Sequence, residues 1–200
     1  MRPMSFRAAK RVGHDWTVSY QPEEIEVMEV VRDHRQACDG FTTAVLSAAG
    51  RWDAPSPCTE WDARGVLEHV IGFHDVLLLG PLEAKPDRPK DDPEARWAVT
   101  VDALFSTLSR PGVVDPKRES LLGVLTTDVL VHTWDLARAV RTEVTLDPRL
   151  CQIGLERALG HREQFEESDM FGPSVPVQQD ARVQDRLLGF MGRDPRWSAG

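Results

Sequence analysis

Cysteine is scarce in this sequence and lacks the spacing of a cross-linked or cysteine-ligated protein. The 200 residues contain three cysteines, Cys38, Cys58 and Cys151, and no C-x-x-C pair. An odd number at these spacings disfavours a disulfide framework and a zinc site built from cysteine pairs. The composition favours a reducing compartment, and we predict a cytoplasmic location.

An excess of positive charge and long apolar runs are missing as well. Lys and Arg number 24 against 32 Asp and Glu, for a net charge of -8, which disfavours nucleic acid or an anionic membrane as a partner. No window approaches the ~20 apolar residues of a membrane span, and the N-terminus lacks the apolar stretch of a signal peptide. We therefore expect small-molecule partners, no membrane association, and a monomer or homodimer.

Strand signals are scarce, because no alternating run of β-branched residues has a useful length. Apolar residues recur at helical intervals instead, and a hydrophobic content of 41% is enough for one core. Residues 1–22 have no clear period and are predicted to be an N-terminal extension, followed by one domain at 23–200. The predicted fold is an all-α four-helix bundle with extra C-terminal helices. The helices are expected at about 23–50, 63–79, 92–110 and 119–141, with further ones within 146–167 and 180–192.

The fourth predicted helix carries two polar side chains on its apolar stripe. Asp128 and His132 lie four residues apart, so both point to one place beside the helix. A buried carboxylate without a partner is costly, whereas a bound cation or a hydrogen-bonded histidine removes most of that cost. The pattern therefore indicates either a metal site or an internal Asp–His pair.

A metal site needs a further ligand from a facing helix, and the second helix offers two. His69 and His74 lie on opposite flanks of its apolar stripe. Their helical positions are nearly equivalent, so geometry alone does not choose between them. Glu68 is a possible closing ligand, although it points in a poor direction.

Residues near the fourth-helix pair also have candidate roles. Asp135 could accept a hydrogen bond from a ligand histidine, or pair with Arg138 or Arg64. Trp134 is expected to pack in the core.

The loop before the second helix contributes two further residues. Cys58 is expected to be a small buried hydrophobe. Trp61 is predicted to act as a hydrophobic staple before the Asp62 cap, with pocket lining as the alternative. Near the C-terminus, GPSVPV at 172–177 is predicted to connect two helices; if it instead covers the bundle mouth, Phe171 could form a wall.

Three blocks of sequence carry a family resemblance: SPCTEWDARGVLEHVIG, DVLVHTWDLARA and FGPSVPVQQDARVQDRLLGFMGRDPRW. In order and spacing they resemble the actinobacterial branch of the DinB-like metal-binding bundles. They are similar to the N-terminal domain of mycothiol-dependent maleylpyruvate isomerase. The resemblance extends over about 33–197.

The resemblance implies a metal held by His69, Asp128 and His132, with His74 near the pocket or behind a ligand. Such a donor set suits Zn²⁺ and tolerates Ni²⁺, Fe²⁺ or Mn²⁺. It also implies a thiol such as mycothiol as cosubstrate, activated for attack on a small electrophile in a transferase or isomerase reaction. A metal-dependent hydrolase and a non-catalytic metal or small-molecule binding protein are the alternatives.

Overall fold

The computed structural model describes residues 22–162 and 172–199. The predicted N-terminal extension and Phe171 lie outside the described residues, except for Pro22, where the first helix begins. The helices are α1 (Pro22–Ser47), α2 (Ala63–His74), α3 (Pro93–Leu108), α4 (Pro116–Ala139), α5 (Pro148–Gly160) and α6 (Val183–Phe190). No β-strand occurs in these two ranges, so the predicted all-α class is confirmed.

Aspartate caps define where most of these helices begin. In four helices the cap carboxylate accepts a hydrogen bond from the backbone N–H three residues on, at 2.7–2.9 Å; the caps are Asp62, Asp92, Asp115 and Asp147. Proline follows the cap directly in α3, α4 and α5, where its missing N–H costs no hydrogen bond. Helix α4 therefore starts at Pro116, one turn earlier than the predicted Glu119.

Helix α2 ends in a π-helical turn, Asp75–Leu79, where a continuous α-helix was predicted. Gly80 closes this turn, because a Cβ there would lie 2.7 Å from the Asp75 carbonyl oxygen. Arg88 anchors the turn with two hydrogen bonds of 2.9 and 2.7 Å to the buried Asp75 carboxylate. The C-terminal end of α2 is thereby held in one position.

The first four helices form a bundle in which each helix has two neighbours. Helices α1 and α2 each pack against both α3 and α4, so α1 lies diagonally opposite α2. Helix α5 packs on α4, and α6 packs on α5. No helix within the described ranges is long and apolar enough to cross a membrane.

Helix α4 is the most deeply buried element. Every residue from 125 to 137 is buried, although the sequence predicted a single apolar stripe. The difference arises because α1 and α2 cover α4 on the bundle side while α5 covers it from outside. Polar residues between 125 and 137 therefore lie in the protein interior, whatever direction they point.

The core stability of the bundle can be tested at Phe41, which is fully buried and contacts Trp97 edge-to-face at a ring distance of 4.8 Å. We expect Phe41→Ala to lower the free energy of unfolding by about 3–5 kcal/mol, because it leaves a cavity between α1 and α3. Urea denaturation measures this change. Leu46→Ala is the matched control on the same helix: Leu46 is 65% exposed, so its change should stay below about 0.5 kcal/mol. Equal effects of the two substitutions would contradict this assignment of the core.

Candidate metal centre

The three predicted ligands meet between the neighbouring helices α2 and α4. The Asp128 Oδ1 atom lies 3.1 Å from His69 Nε2 and 3.4 Å from His132 Nε2. All three side chains offer a ligand atom within 4.8 Å of the other two. One carboxylate oxygen and two imidazole nitrogens therefore converge on a single point.

Asp128 is a buried charge that the protein satisfies only in part. Its side chain is 4% exposed, and its second oxygen, Oδ2, is buried without a hydrogen-bond partner among the described residues. Burial alone would raise the pKa of this carboxyl, but His132 and His69 hold the pKa well below its usual range. A charged carboxylate with a free oxygen is costly in the interior, and the donor set fits a divalent cation.

His132 is oriented from behind by Asp135. Its Nδ1 donates to Asp135 Oδ2 at 2.9 Å, which leaves Nε2 facing Asp128. Burial opposes a charge on His132, but Asp128 and Asp135 raise its pKa well above the ordinary value in the absence of a metal. The predicted hydrogen bond between Asp135 and His132 is therefore present, in the arrangement that would orient a ligand histidine.

A buried arginine, which no sequence pattern predicted, completes this arrangement. Arg193 donates from Nη2 to Asp135 Oδ2 at 2.8 Å and is 8% exposed. It also lies 2.7 Å from the Cys58 sulfur, which itself donates to Asp135 at 3.3 Å. The predicted partners Arg138 and Arg64 are thus replaced by an arginine from the segment after α6.

Cys58 is half-buried and hydrogen-bonded, so its prediction as a small buried hydrophobe was wrong. An isolated antiparallel bridge pairs Pro55 with Asp62 and closes the loop that carries Cys58. Because Cys58 contacts both Asp135 and Arg193, it belongs to the polar layer behind His132. A lone cysteine in a loop carries no sequence pattern that would reveal such a contact.

Aromatic rings enclose the exposed side of the site. Trp61 stacks on His69 at a ring distance of 4.5 Å and lies 5.7 Å from His132. Phe73 also stacks on His69, at a ring distance of 5.4 Å. Since the His69 side chain is 25% exposed, the site can be reached from solvent past these rings. Trp61 thus lies against two of the three candidate ligands, in the position expected for its alternative role beside the site.

Other predicted residues lie outside the site. His74 is fully buried and directed to His34 and the Val70 carbonyl oxygen, so it neither borders this site nor supports a candidate ligand here. Glu68 pairs with Arg96 through two hydrogen bonds of 2.7 Å and does not close the site. Trp134 is buried, as predicted.

The segment 172–177 behaves as a connection rather than a cover. Val175 donates from its backbone N–H to the Gly189 carbonyl oxygen at 2.8 Å. A Cβ at Gly189 would lie 2.4 Å from a Val177 methyl group, so the segment runs directly against α6. The default prediction for this stretch is consistent with these contacts.

The described residues form an all-α bundle, consistent with a DinB-like fold, with a candidate metal centre between α2 and α4. Residues 31–104 match the family model of the mycothiol maleylpyruvate isomerase N-terminal domain. This match confirms the predicted resemblance and relates the matched residues to a mycothiol-associated metal-binding domain. It includes His69 but ends before Asp128 and His132.

Relatives extend the similarity over most of the chain. An uncharacterized protein from two strains of Mycobacterium tuberculosis, CDC 1551 and H37Rv, is 28% identical over 183 residues. The alignment covers 84% of this chain and 100% of the relative. No solved structure matches the chain significantly.

The supporting role of Asp135 can be tested with Asp135→Asn. We expect zinc affinity to fall about 10–100-fold, because the amide no longer holds the His132 ring with Nε2 free. Competition with a chromogenic chelator measures the affinity, and circular dichroism verifies the helix content. Asp194→Asn is the control, since Asp194 is a nearby acid that pairs only with Arg196 in the contacts described. Unchanged zinc affinity in Asp135→Asn would rule out this orienting role.

Proposed function

We propose that the protein is a metal-dependent enzyme that activates a low-molecular-weight thiol, for which mycothiol is the first candidate. The thiol would be transferred to a small electrophile or would assist its isomerisation. The observation that carries the proposal is the buried Asp128 carboxylate, which lies between two histidines with one oxygen unpaired. The match to a mycothiol-related domain supports the choice of thiol.

The proposed metal ligands are His69, Asp128 and His132. Two imidazoles and one carboxylate form a donor set of borderline softness, for which Zn²⁺ is the first choice and Ni²⁺, Fe²⁺ or Mn²⁺ are compatible. When bound, such an ion stabilises a thiolate at neutral pH. Three protein ligands leave room for a substrate atom, which separates a catalytic site from a closed structural one.

The surrounding side chains suit a small substrate. Asp128 supplies a buried negative charge that balances a cation, and Asp135 keeps His132 in the required orientation. Trp61 and Phe73 both stack on His69, so aromatic surface lies beside the accessible edge of the site. Apolar walls favour a compact organic electrophile and limit access of water to a reactive sulfur.

No cysteine of the protein is required as nucleophile in this proposal. Cys58, the cysteine near the site, is engaged by Arg193 and Asp135 on the far side of His132. The proposed partners are a small thiol and a small electrophile, with no nucleic acid or membrane, and the proposed location is the cytoplasm, where such thiols stay reduced.

Metal content tests the ligand set. Protein purified without added metal should contain a transition metal by elemental analysis, and His132→Ala should lose the metal of this centre while it keeps its helix content. His161→Ala is the matched control, because His161 is exposed at the end of α5. Metal retained in full by His132→Ala would remove the basis of the proposed site.

Activity tests the thiol. The wild-type protein is expected to turn over at least one electrophile of a panel, and only when mycothiol is present. In His132→Ala this rate should fall by a factor of at least about 100, as expected for loss of a metal ligand. Turnover without any thiol would instead indicate a hydrolase. Bound metal with no turnover under either condition would indicate a binding protein.

A further inference from the structure

A second group of ligand-type side chains lies on the axis of the bundle. His34 and Cys38 are one turn apart on α1, and His74 is the last residue of α2, the helix diagonally opposite. All three side chains are fully buried. His34 Nε2 lies 3.1 Å from His74 Nε2 and 3.7 Å from Cys38 Sγ.

The hydrogen on His74 can be placed from its neighbours. His74 Nδ1 lies 2.6 Å from the Val70 carbonyl oxygen. A carbonyl oxygen only accepts, so Nδ1 carries the hydrogen. A neutral imidazole has one N–H, and His74 Nε2 therefore presents a lone pair.

The same reasoning applies to His34. The Thr126 hydroxyl donates to the Leu122 carbonyl oxygen at 2.7 Å, and its oxygen then accepts from His34 Nδ1 at 3.1 Å. If Thr126 donated to His34 instead, two oxygens would face each other at 2.7 Å without a hydrogen between them. His34 Nε2 therefore also presents a lone pair, directed at that of His74.

Two facing lone pairs at 3.1 Å need a positive group between or beside them. An extra proton on one of the two rings is disfavoured, because burial lowers the pKa of His34 and of His74. The adjacent Cys38 sulfur can satisfy only one nitrogen. A cation coordinated by two imidazole nitrogens and one sulfur satisfies all three side chains at once.

We infer that His34, Cys38 and His74 form a second metal site, which binds Zn²⁺ or a similar borderline cation and ties α1 to the end of α2. Two of the three ligand separations agree with this assignment, because nitrogens on one tetrahedral zinc lie about 3.3 Å apart, and sulfur and nitrogen about 3.6 Å apart. The corresponding distances here are 3.1 and 3.7 Å. The third, between the Cys38 sulfur and the His74 ligand nitrogen, is within 4.8 Å. Because the three side chains are sealed in the core, a cation held there does not meet substrate, and its role is to tie α1 to the end of α2.

This second site makes a spectroscopic prediction that the first does not. A cobalt-loaded protein should bind two equivalents of Co²⁺ and show a thiolate-to-cobalt charge-transfer band in the near ultraviolet. Cys38→Ser should bind one equivalent and lose the band. Cys58→Ser and Cys151→Ser are the matched controls and should keep it. His132→Ala should also bind one equivalent but keep the band, so failure of either site is distinguishable from failure of the other.

Three results would overturn the inference: no thiolate band in the wild-type protein, a band that persists in Cys38→Ser, or a band lost in Cys58→Ser. If Cys38→Ser does not fold, zinc-edge X-ray absorption of His132→Ala tests the intact cluster. A sulfur at about 2.3 Å from zinc is expected. A zinc shell of nitrogen and oxygen alone, or the absence of zinc, would contradict it.

Discussion

The buried carboxylate of Asp128 is the constraint around which this interior is arranged. A charge at 4% exposure must be compensated locally, and two histidines from adjacent helices provide that compensation through one of its oxygens. Asp135 then fixes the orientation of His132, and Arg193 balances the charge of Asp135 in turn. Each buried polar group in this chain of contacts requires the next, which is why the site and the fold are inseparable here.

Those contacts depend on the complete burial of α4 from residue 125 to residue 137. A helix covered by the bundle on one side and by α5 on the other can carry acids and histidines only where partners reach it. The segment after α6 supplies such a partner in Arg193, from 58 residues further along the chain than Asp135. The C-terminal elements therefore do more than extend the core: they deliver the positive charge that the layer behind His132 needs.

The sequence was sufficient for local features and insufficient for those that cross the fold. The four-residue spacing of Asp128 and His132 follows from helix geometry, and D-P pairs stand at three helix starts, although the start of α4 was predicted at Glu119 instead of Pro116. The contacts of Cys58 with Arg193 and of His34 with His74 join distant segments, and no local pattern encodes them. Periodicity also indicated one apolar stripe on α4, because it cannot show how many elements cover a helix.

Helix α2 shows why two histidines that look alike in sequence have different surroundings. His69 and His74 are five residues apart, which corresponds to a rotation of about 140° around the helix. One therefore faces α4 at the accessible edge of the bundle, and the other faces α1 across its axis. A ligand at the edge can exchange with solvent and present an open position, whereas a ligand on the axis is surrounded by core side chains. The same helix can thus contribute to a reactive site and to a sealed one, separated by little more than a turn.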